Sequence, residues 1–416
     1  MRSDNRAFWL RGAGMLAIST FLLASAACGG SGSSSNNNNN GNSQVIAGPG
    51  PNVVTLVADP GATGNYTNGS FVSATVCLPG TTTCQTIDHL LVDTGSFGLR
   101  ILSSAGGGAL TLALPTVKDS SNRPIGECVQ FIDTSFLWGP VALADLKLSS
   151  EVASSLPVHV VGDTNFNPVP NGCSMGGIDR DTLQQLGANG IIGVGGVQYD
   201  CGSSCASGPT IPTPLYYACP NTGCVPSFLP LAQQVQNPVA LFATDNNGVI
   251  VELPQVPSGG APSATGALVF GIGTQSNNAL GTASVLTLDN SLNFITTFKN
   301  VQYTASFVDS GSNGIFFLDT TTTGMATCQF SDFFYCPSST QSFSANNTGQ
   351  NATSTPISFS IADANSLAKA NFVFNNLGGP SPNSFDWGLP FFLGRNVFVS
   401  IAGKNTPSGT APFVAY

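Results

Sequence analysis

Apolar residues along this chain fall in short runs separated by glycine, proline and small polar residues. This is the pattern of many short strands joined by turns, and not of a helical bundle. Two of the runs are built alike: residues 90–102 read LLVDTGSFGLRIL and residues 306–318 read SFVDSGSNGIFFL. Each predicts a buried strand, a tight Asp-Thr/Ser-Gly-Ser turn and a second buried strand. One further apolar stretch, from Gly12 to Ala27, follows Arg2, Arg6 and Arg11. It is shorter than the ~20 residues a membrane span needs, so it reads as a secretory signal. No other stretch is long and apolar enough to cross a bilayer.

Composition supports the strand reading. Gly 48 and Pro 27 supply the turns, and 42% hydrophobic residues supply a large core. At 416 residues that core divides most naturally between two lobes. Charge is sparse: 12 Lys+Arg and 21 Asp+Glu make 8% of the chain, against about 25% in an ordinary soluble domain. A net charge of −9 leaves no basic face for nucleic acid.

The signal, residues 1–27, ends in Ala26-Ala27-Cys28-Gly29, which resembles a bacterial lipobox with Ser25 at the position usually held by an aliphatic residue. Of the 11 cysteines, Cys28 is the odd one out. Lipidation of Cys28 leaves ten cysteines, an even set for disulfides in an oxidising compartment. Residues 28–51, rich in Ser, Asn and Gly, predict a flexible tether. The absence of an aspartate directly after Cys28 favours the outer membrane; the alternative is ordinary signal-peptidase cleavage at Ala24-Ser25-Ala26 and a periplasmic or secreted protein. Cys77 with Cys84, and Cys328 with Cys336, are close enough in sequence to staple single turns. Cys128 with Cys173 is a further plausible pair within the first lobe, and the pairing among Cys201, Cys205, Cys219 and Cys224 stays open. A Cys₄ zinc site at those four is the weaker alternative in an exported chain.

The two Asp-Gly turns carry the chemistry. A lone buried carboxylate is costly, but two that face one another share a proton. Asp93 and Asp309 are therefore the candidate catalytic pair: one deprotonates a water while the other donates to a carbonyl. Gly95 and Gly311 permit the turns, Thr94 and Ser310 offer hydroxyls to cross-brace the loops, and Ser96 and Ser312 can donate to the carboxylates.

These paired motifs resemble the pepsin-like, bilobal aspartic proteases. The chain also resembles a family of bacterial secreted proteins and lipoproteins to which no activity is assigned. The resemblance implies an all-β, two-lobed fold with a few short helices. Its lobes are expected over 52–258 and 264–416, with Pro254–Thr265 as the hinge. It implies an apolar-Gly strand beneath each catalytic loop, assigned to Gly190–Gly195 and Phe392–Phe398, and places the strand opening the second lobe at Gly266–Gly271. It also implies a hairpin flap over the cleft. Residues 128–139 fit that position, with Phe131 where a tyrosine is usual and Trp138 as a second candidate.

The implied function is exported aspartic-type endopeptidase, with peptide or protein substrate in the inter-lobe cleft, no metal, no cofactor, membrane attachment through the N-terminal lipid and a monomeric state. The alternative is a non-catalytic peptide- or ligand-binding or structural lipoprotein on the same fold. Other signals are weaker. Gly172-Cys173-Ser174-Met175-Gly176 matches a serine-hydrolase elbow, but His89 and His159, the two histidines, both precede Ser174. His89 can at most tune the dyad, Asp88 reads as an ordinary strand-edge carboxylate, and Arg100 is expected to pair with a surface carboxylate. Phe333, Phe334 and Tyr335 are expected to pack a loop more readily than to line the cleft.

Overall fold

The short apolar runs do form strands. A computed structural model describes residues 44–131, 134–208, 214–329 and 331–416. The expected signal segment 1–27 and Cys28 lie outside the described residues. The first half supplies β1 (Val53–Asp59), β2 (Gly69–Cys77), β3 (Cys84–Asp93), β4 (Phe97–Leu102), β5 (Ile125–Gln130), β6 (Phe136–Leu148), β7 (Glu151–Val161), β8 (Gly190–Val194), β9 (Tyr216–Ala218), β10 (Val225–Pro226) and β11 (Gly248–Leu253). The second supplies β12 (Ala264–Phe270), β13 (Val285–Thr287), β14 (Phe294–Phe298), β15 (Val301–Val308), β16 (Ile315–Leu318), β17 (Thr327–Cys328) and β18 (Ser331–Tyr335). It continues with β19 (Gln341–Thr348), β20 (Ser354–Ile361), β21 (Gly378–Gly379), β22 (Ser381–Trp387), β23 (Arg395–Ser400) and β24 (Phe413–Ala415). Among the described residues the α-helices are single turns of four residues, so the fold is all-β and two-lobed.

A 15-stranded sheet runs β10-β9-β5-β6-β7-β4-β8-β3-β2-β1-β12-β11-β23-β24-β13, and a 7-stranded sheet runs β20-β19-β14-β15-β22-β16-β21. Each contains the same device. In the first, β8 lies between the strands entering and leaving the Asp93 turn, parallel to β3 (Asp93 opposite Gly193) and antiparallel to β4 (Phe97 opposite Val194). In the second, β22 lies between β15 and β16, with Trp387 opposite Val308 and Ile315. All five residues of β8 are buried, as a strand covered on both faces requires.

This corrects the second strand assignment. Phe392–Phe398 does not pass beneath the Asp309 turn; Ser381–Trp387 does, followed by Gly388. Space there demands a glycine: a Cβ on Gly388 would stand 2.6 Å from the Ser312 carbonyl oxygen and closer still to that of Gly314. Residues Leu389–Phe392 form a helical turn instead, and β23 pairs with β11. The Pro254–Thr265 segment joins β11 to β12, which are themselves an antiparallel pair.

The distal end of the expected tether is also corrected. Gln44 Nε2 donates to the carbonyls of Leu253 and Arg395, each at 2.8 Å, and Ala47 N donates to Glu252 Oε2 at 2.6 Å. Ile46 and Ala47 pack on the β11–β12–β23 face, so residues 44–51 are docked by hydrogen bonds and apolar contact.

Among the described residues five disulfides form: Cys77–Cys84, Cys128–Cys173, Cys201–Cys205, Cys219–Cys224 and Cys328–Cys336. The four cysteines with open pairing are thus two local staples rather than a metal site. Cys128–Cys173 spans 45 residues, the longest of the five loops. Chain-entropy arguments give such a crosslink about 4 kcal/mol. Replacing both cysteines by alanine should lower the unfolding free energy by roughly that amount in denaturant titration, whereas the five-residue Cys219–Cys224 staple should matter less.

Candidate active site

The two Asp-Gly turns meet. A Cβ built on Gly95 would stand 2.6 Å from Asp309 Cγ, and one on Gly311 would stand 2.7 Å from Asp93 Cγ. Each glycine therefore presses its backbone against the carboxyl of the opposite turn, an approach no side chain permits. Asp93 and Asp309 are 4% and 3% exposed.

Two hydroxyls hold the turns together symmetrically. Thr94 Oγ1 accepts from Ser310 N at 2.9 Å and donates to Val308 O at 3.4 Å. Ser310 Oγ accepts from Thr94 N at 3.1 Å and donates to Val92 O at 2.7 Å. Each hydroxyl satisfies an amide and a carbonyl of the other half, so neither turn can shift alone.

Within each turn the carboxyl is held by its own loop. Asp93 Oδ1 accepts from Gly95 N at 2.8 Å and Oδ2 from Ser96 Oγ at 2.5 Å. Asp309 Oδ1 accepts from Gly311 N at 2.9 Å and from Ser312 N at 3.2 Å, and Oδ2 from Ser312 Oγ at 3.0 Å. Burial, then the charge of Asp309, push the Asp93 carboxyl well above its usual value, against the pull of Ser96. Ionisation of Asp93 is thus opposed by the carboxyl beside it.

Three residues at the site were not expected from the sequence. Asp386, on β22 and fully buried, accepts from Ser312 Oγ at 2.7 Å. The single Ser312 proton therefore stands between two carboxyls, Asp309 and Asp386. Asp386 lies opposite Phe307, two residues before Asp309, and Ile191 lies opposite Leu91, two residues before Asp93. The equivalent position in the first half is thus apolar, and this third acid belongs to one half only. Tyr66, between β1 and β2, is buried, and its hydroxyl is pushed up by burial, lowered by Arg180 and raised by both Asp93 and Asp309. It thus lies within electrostatic reach of the pair, as does Arg180 of Tyr66. The available signal for Asp386 was an acid set between two aromatic residues, Phe385 and Trp387; Tyr66 carried none.

The flap candidates separate. Phe131 packs in a cluster with Tyr66, Phe71, Leu91 and Leu102, on the Asp93 side of the molecule. Trp138 packs elsewhere, with Phe136, Tyr217 and the Cys128–Cys173 bridge, its Nε1 donating to Phe166 O at 2.8 Å. His89 is taken up by Asp59 and Asp88, each 3.4 Å from its ring. Arg100 corrects its expectation. It is 2% exposed and pairs with Glu127 at 2.8 Å, because a cation in the buried β4 strand cannot reach surface acids. Ser174 sits on a single helical turn beside the disulfide-bonded Cys173, without a histidine partner in sequence order. Tyr335 is buried on Phe317, to whose carbonyl its hydroxyl donates at 2.8 Å, while Phe333 is exposed.

A family model described as "Protein of unknown function (DUF3443)" matches residues 48–416. The chain belongs to that family. No curated protein sequence is detectably similar to it. Among solved structures, the aspartic proteinase from Irpex lacteus is similar, with a TM-score of 0.49 and 13% identity over 87% of this chain and 96% of that chain. Within this DUF3443 member, residues 48–416 span both Asp-Gly turns, the cross-bracing hydroxyls and all five disulfides.

Proposed function

We propose that this DUF3443 protein is an exported aspartic-type endopeptidase that hydrolyses peptide bonds with a water activated between Asp93 and Asp309. The observation that carries this reading is the buried, cross-braced apposition of the two carboxyls. A pure binding protein has no evident use for a pair that resists joint ionisation. In the reaction, one carboxylate takes a proton from water as its oxygen attacks the scissile carbonyl. The other carboxyl gives its proton to the carbonyl oxygen. Collapse of the tetrahedral adduct returns a proton to the leaving amine and resets the pair. The shared proton belongs to the coupled pair rather than to one residue. This chemistry calls for no metal or organic cofactor.

Both acids come from one chain, which supports action as a monomer. Five disulfides support an oxidising compartment for the folded chain. Anchoring through a lipid on Cys28, in the outer membrane, completes the reading.

A second reading, a peptide- or ligand-binding lipoprotein without turnover, is favoured by one observation. The β5–β6 hairpin, which corresponds to the expected flap, is fastened by the Cys128–Cys173 bridge, by pairing of β5 with β9, and by a bond from Phe136 N to Ile178 O at 2.9 Å. Incubation with a mixed peptide library from about pH 4 to about pH 9, with new termini read by mass spectrometry, separates the two. Cleavage at a reproducible set of sequences supports the peptidase. Retention of intact peptides on the protein at every pH supports the binder.

A further inference from the structure

The first half holds a second cluster of acids that the dyad chemistry does not use. Arg100 Nη2 donates to Glu127 Oε1 at 2.8 Å and stands 3.4 Å from Asp200 Oδ2. The side chains of Arg100, Glu127 and Asp200 are 3%, 0% and 4% exposed. The two carboxyls converge on one nitrogen, Arg100 Nη2. Asp200 Oδ1 accepts from Tyr216 OH at 2.6 Å, and that hydroxyl accepts from Val235 N at 2.8 Å. His159 Nδ1 lies 3.3 Å from Glu127 Oε2, its ring fully buried. Arg100, Glu127, His159, Asp200 and Tyr216 are the titratable groups that meet there among the described residues.

Charge accounting restricts this cluster. Burial pulls His159 down to about 4, so it is neutral over most of the working range and Arg100 is the one cation. Two ionised carboxylates beside it would leave a buried net negative charge, which is costly. One proton must stay on the acid pair. Burial and then the charge of Glu127 push Asp200 up, whereas at Glu127 burial is outweighed by Arg100, His159 and the Asp200 contact acting together, which hold it low. The resting cluster is then guanidinium, Glu127 carboxylate and Asp200 acid, with zero net charge.

Its position gives it a task. Arg100 Nη1 also donates to Phe97 O at 2.7 Å, one residue after the serine that holds Asp93. Glu127 belongs to β5 of the hairpin and precedes Cys128. We propose that Glu127 and Asp200 are a second proton-sharing carboxyl pair, clamped on Arg100, which positions the β5–β6 hairpin against the Asp93 turn and loosens when its proton is lost. The residues are positioning groups, and the clamp holds whether or not the dyad cleaves peptides.

The sign follows from Asp200. Its value is raised on folding, so its contribution to stability is full below the unfolded carboxylate value and is lost as pH rises. Asp200→Asn imitates the protonated acid and removes that loss. Thermal unfolding of the full chain, wild type against Asp200→Asn, is the test. The variant should melt within a degree or so of wild type near pH 4, and above it by about 2 °C or more near pH 8. Glu127→Gln should flatten the same slope, since Asp200 alone can then ionise against Arg100. In the wild type, exchange of the Cys128 and Val129 amides, corrected for intrinsic rates, should accelerate towards alkaline pH. Melting curves of both variants parallel to wild type at every pH would overturn the clamp. So would wild-type hairpin exchange that is flat with pH, even if neither variant folded. None of these readouts uses hydrolysis, so failure of the clamp and failure of the peptidase reading are told apart.

Discussion

Asp93→Asn and Asp309→Asn should each lose peptide hydrolysis by about 10³-fold or more, yet melt no earlier than the wild type. The loss follows because a water between the turns needs one group to take its proton and another to donate. An amide does neither. Stability is preserved because the amide keeps the local bonds. In the Asp93→Asn variant, Oδ1 still accepts from Gly95 N, and the amide nitrogen meets Ser96 Oγ, which can accept as well as donate. The pH dependence has a definite sign. Asp93 is raised on folding, so the acid destabilises the native state increasingly as pH climbs above the unfolded carboxylate range. The Asp93→Asn variant should therefore gain on wild type at neutral pH and match it near pH 4, in melts followed by circular dichroism. Full activity in either variant would remove the dyad from the mechanism.

Trp387→Ala should be the most damaging of the core substitutions, at about 3–5 kcal/mol in denaturant titration. Trp387 ends β22 and is fully buried. It stacks on Phe385 at 5.4 Å and meets Phe359 and Phe391 at 5.2 and 5.4 Å between ring centroids. Its Nε1 donates to Thr296 Oγ1 at 3.2 Å. Alanine opens a cavity in this aromatic cluster and leaves that hydroxyl without its donor. The site should suffer too, because Asp309 N donates to Trp387 O at 3.1 Å and the strand beneath the turn is set by this packing. Trp387→Phe should cost under about 1.5 kcal/mol plus the lost hydrogen bond. A loss below about 1 kcal/mol for the alanine variant would show that β22 is held by its backbone alone.

The parts of this site that could be read from the sequence are the local ones. An aspartate followed by Thr/Ser-Gly-Ser between apolar runs states its turn and its burial within a few residues, and its repetition marks the pair. What escaped was decided by contacts distant in sequence. Phe392-Leu393-Gly394 and Phe385-Asp386-Trp387-Gly388 both set large aromatic or aliphatic residues before a glycine, the second with an acid between them. Only the second lies beneath the Asp309 turn, and what sets them apart is strand pairing distant in sequence: β22 pairs with β15 and β16, whereas β23 pairs with β11.

Charges were misjudged for a related reason. In a chain with 12 Lys+Arg, an arginine inside FGLRIL is itself a sign of burial. Its partners Glu127 and Asp200 lie 27 and 100 residues away, so no local pattern pairs them. Asp386 in FDWG is the same kind of signal. Ile46 and Ala47 likewise close a polar, low-complexity segment with enough apolar surface to dock it.

The claim that Asp93 and Asp309 activate a water has one direct test. Peptide cleavage by the wild-type protein in ¹⁸O-labelled water should place one label in each new C-terminal carboxylate, with no acyl-enzyme detectable by mass spectrometry of the quenched protein. Asp309→Asn treated identically should yield no labelled product. A covalent acyl adduct, or labelled product from both proteins in equal amount, would contradict the account.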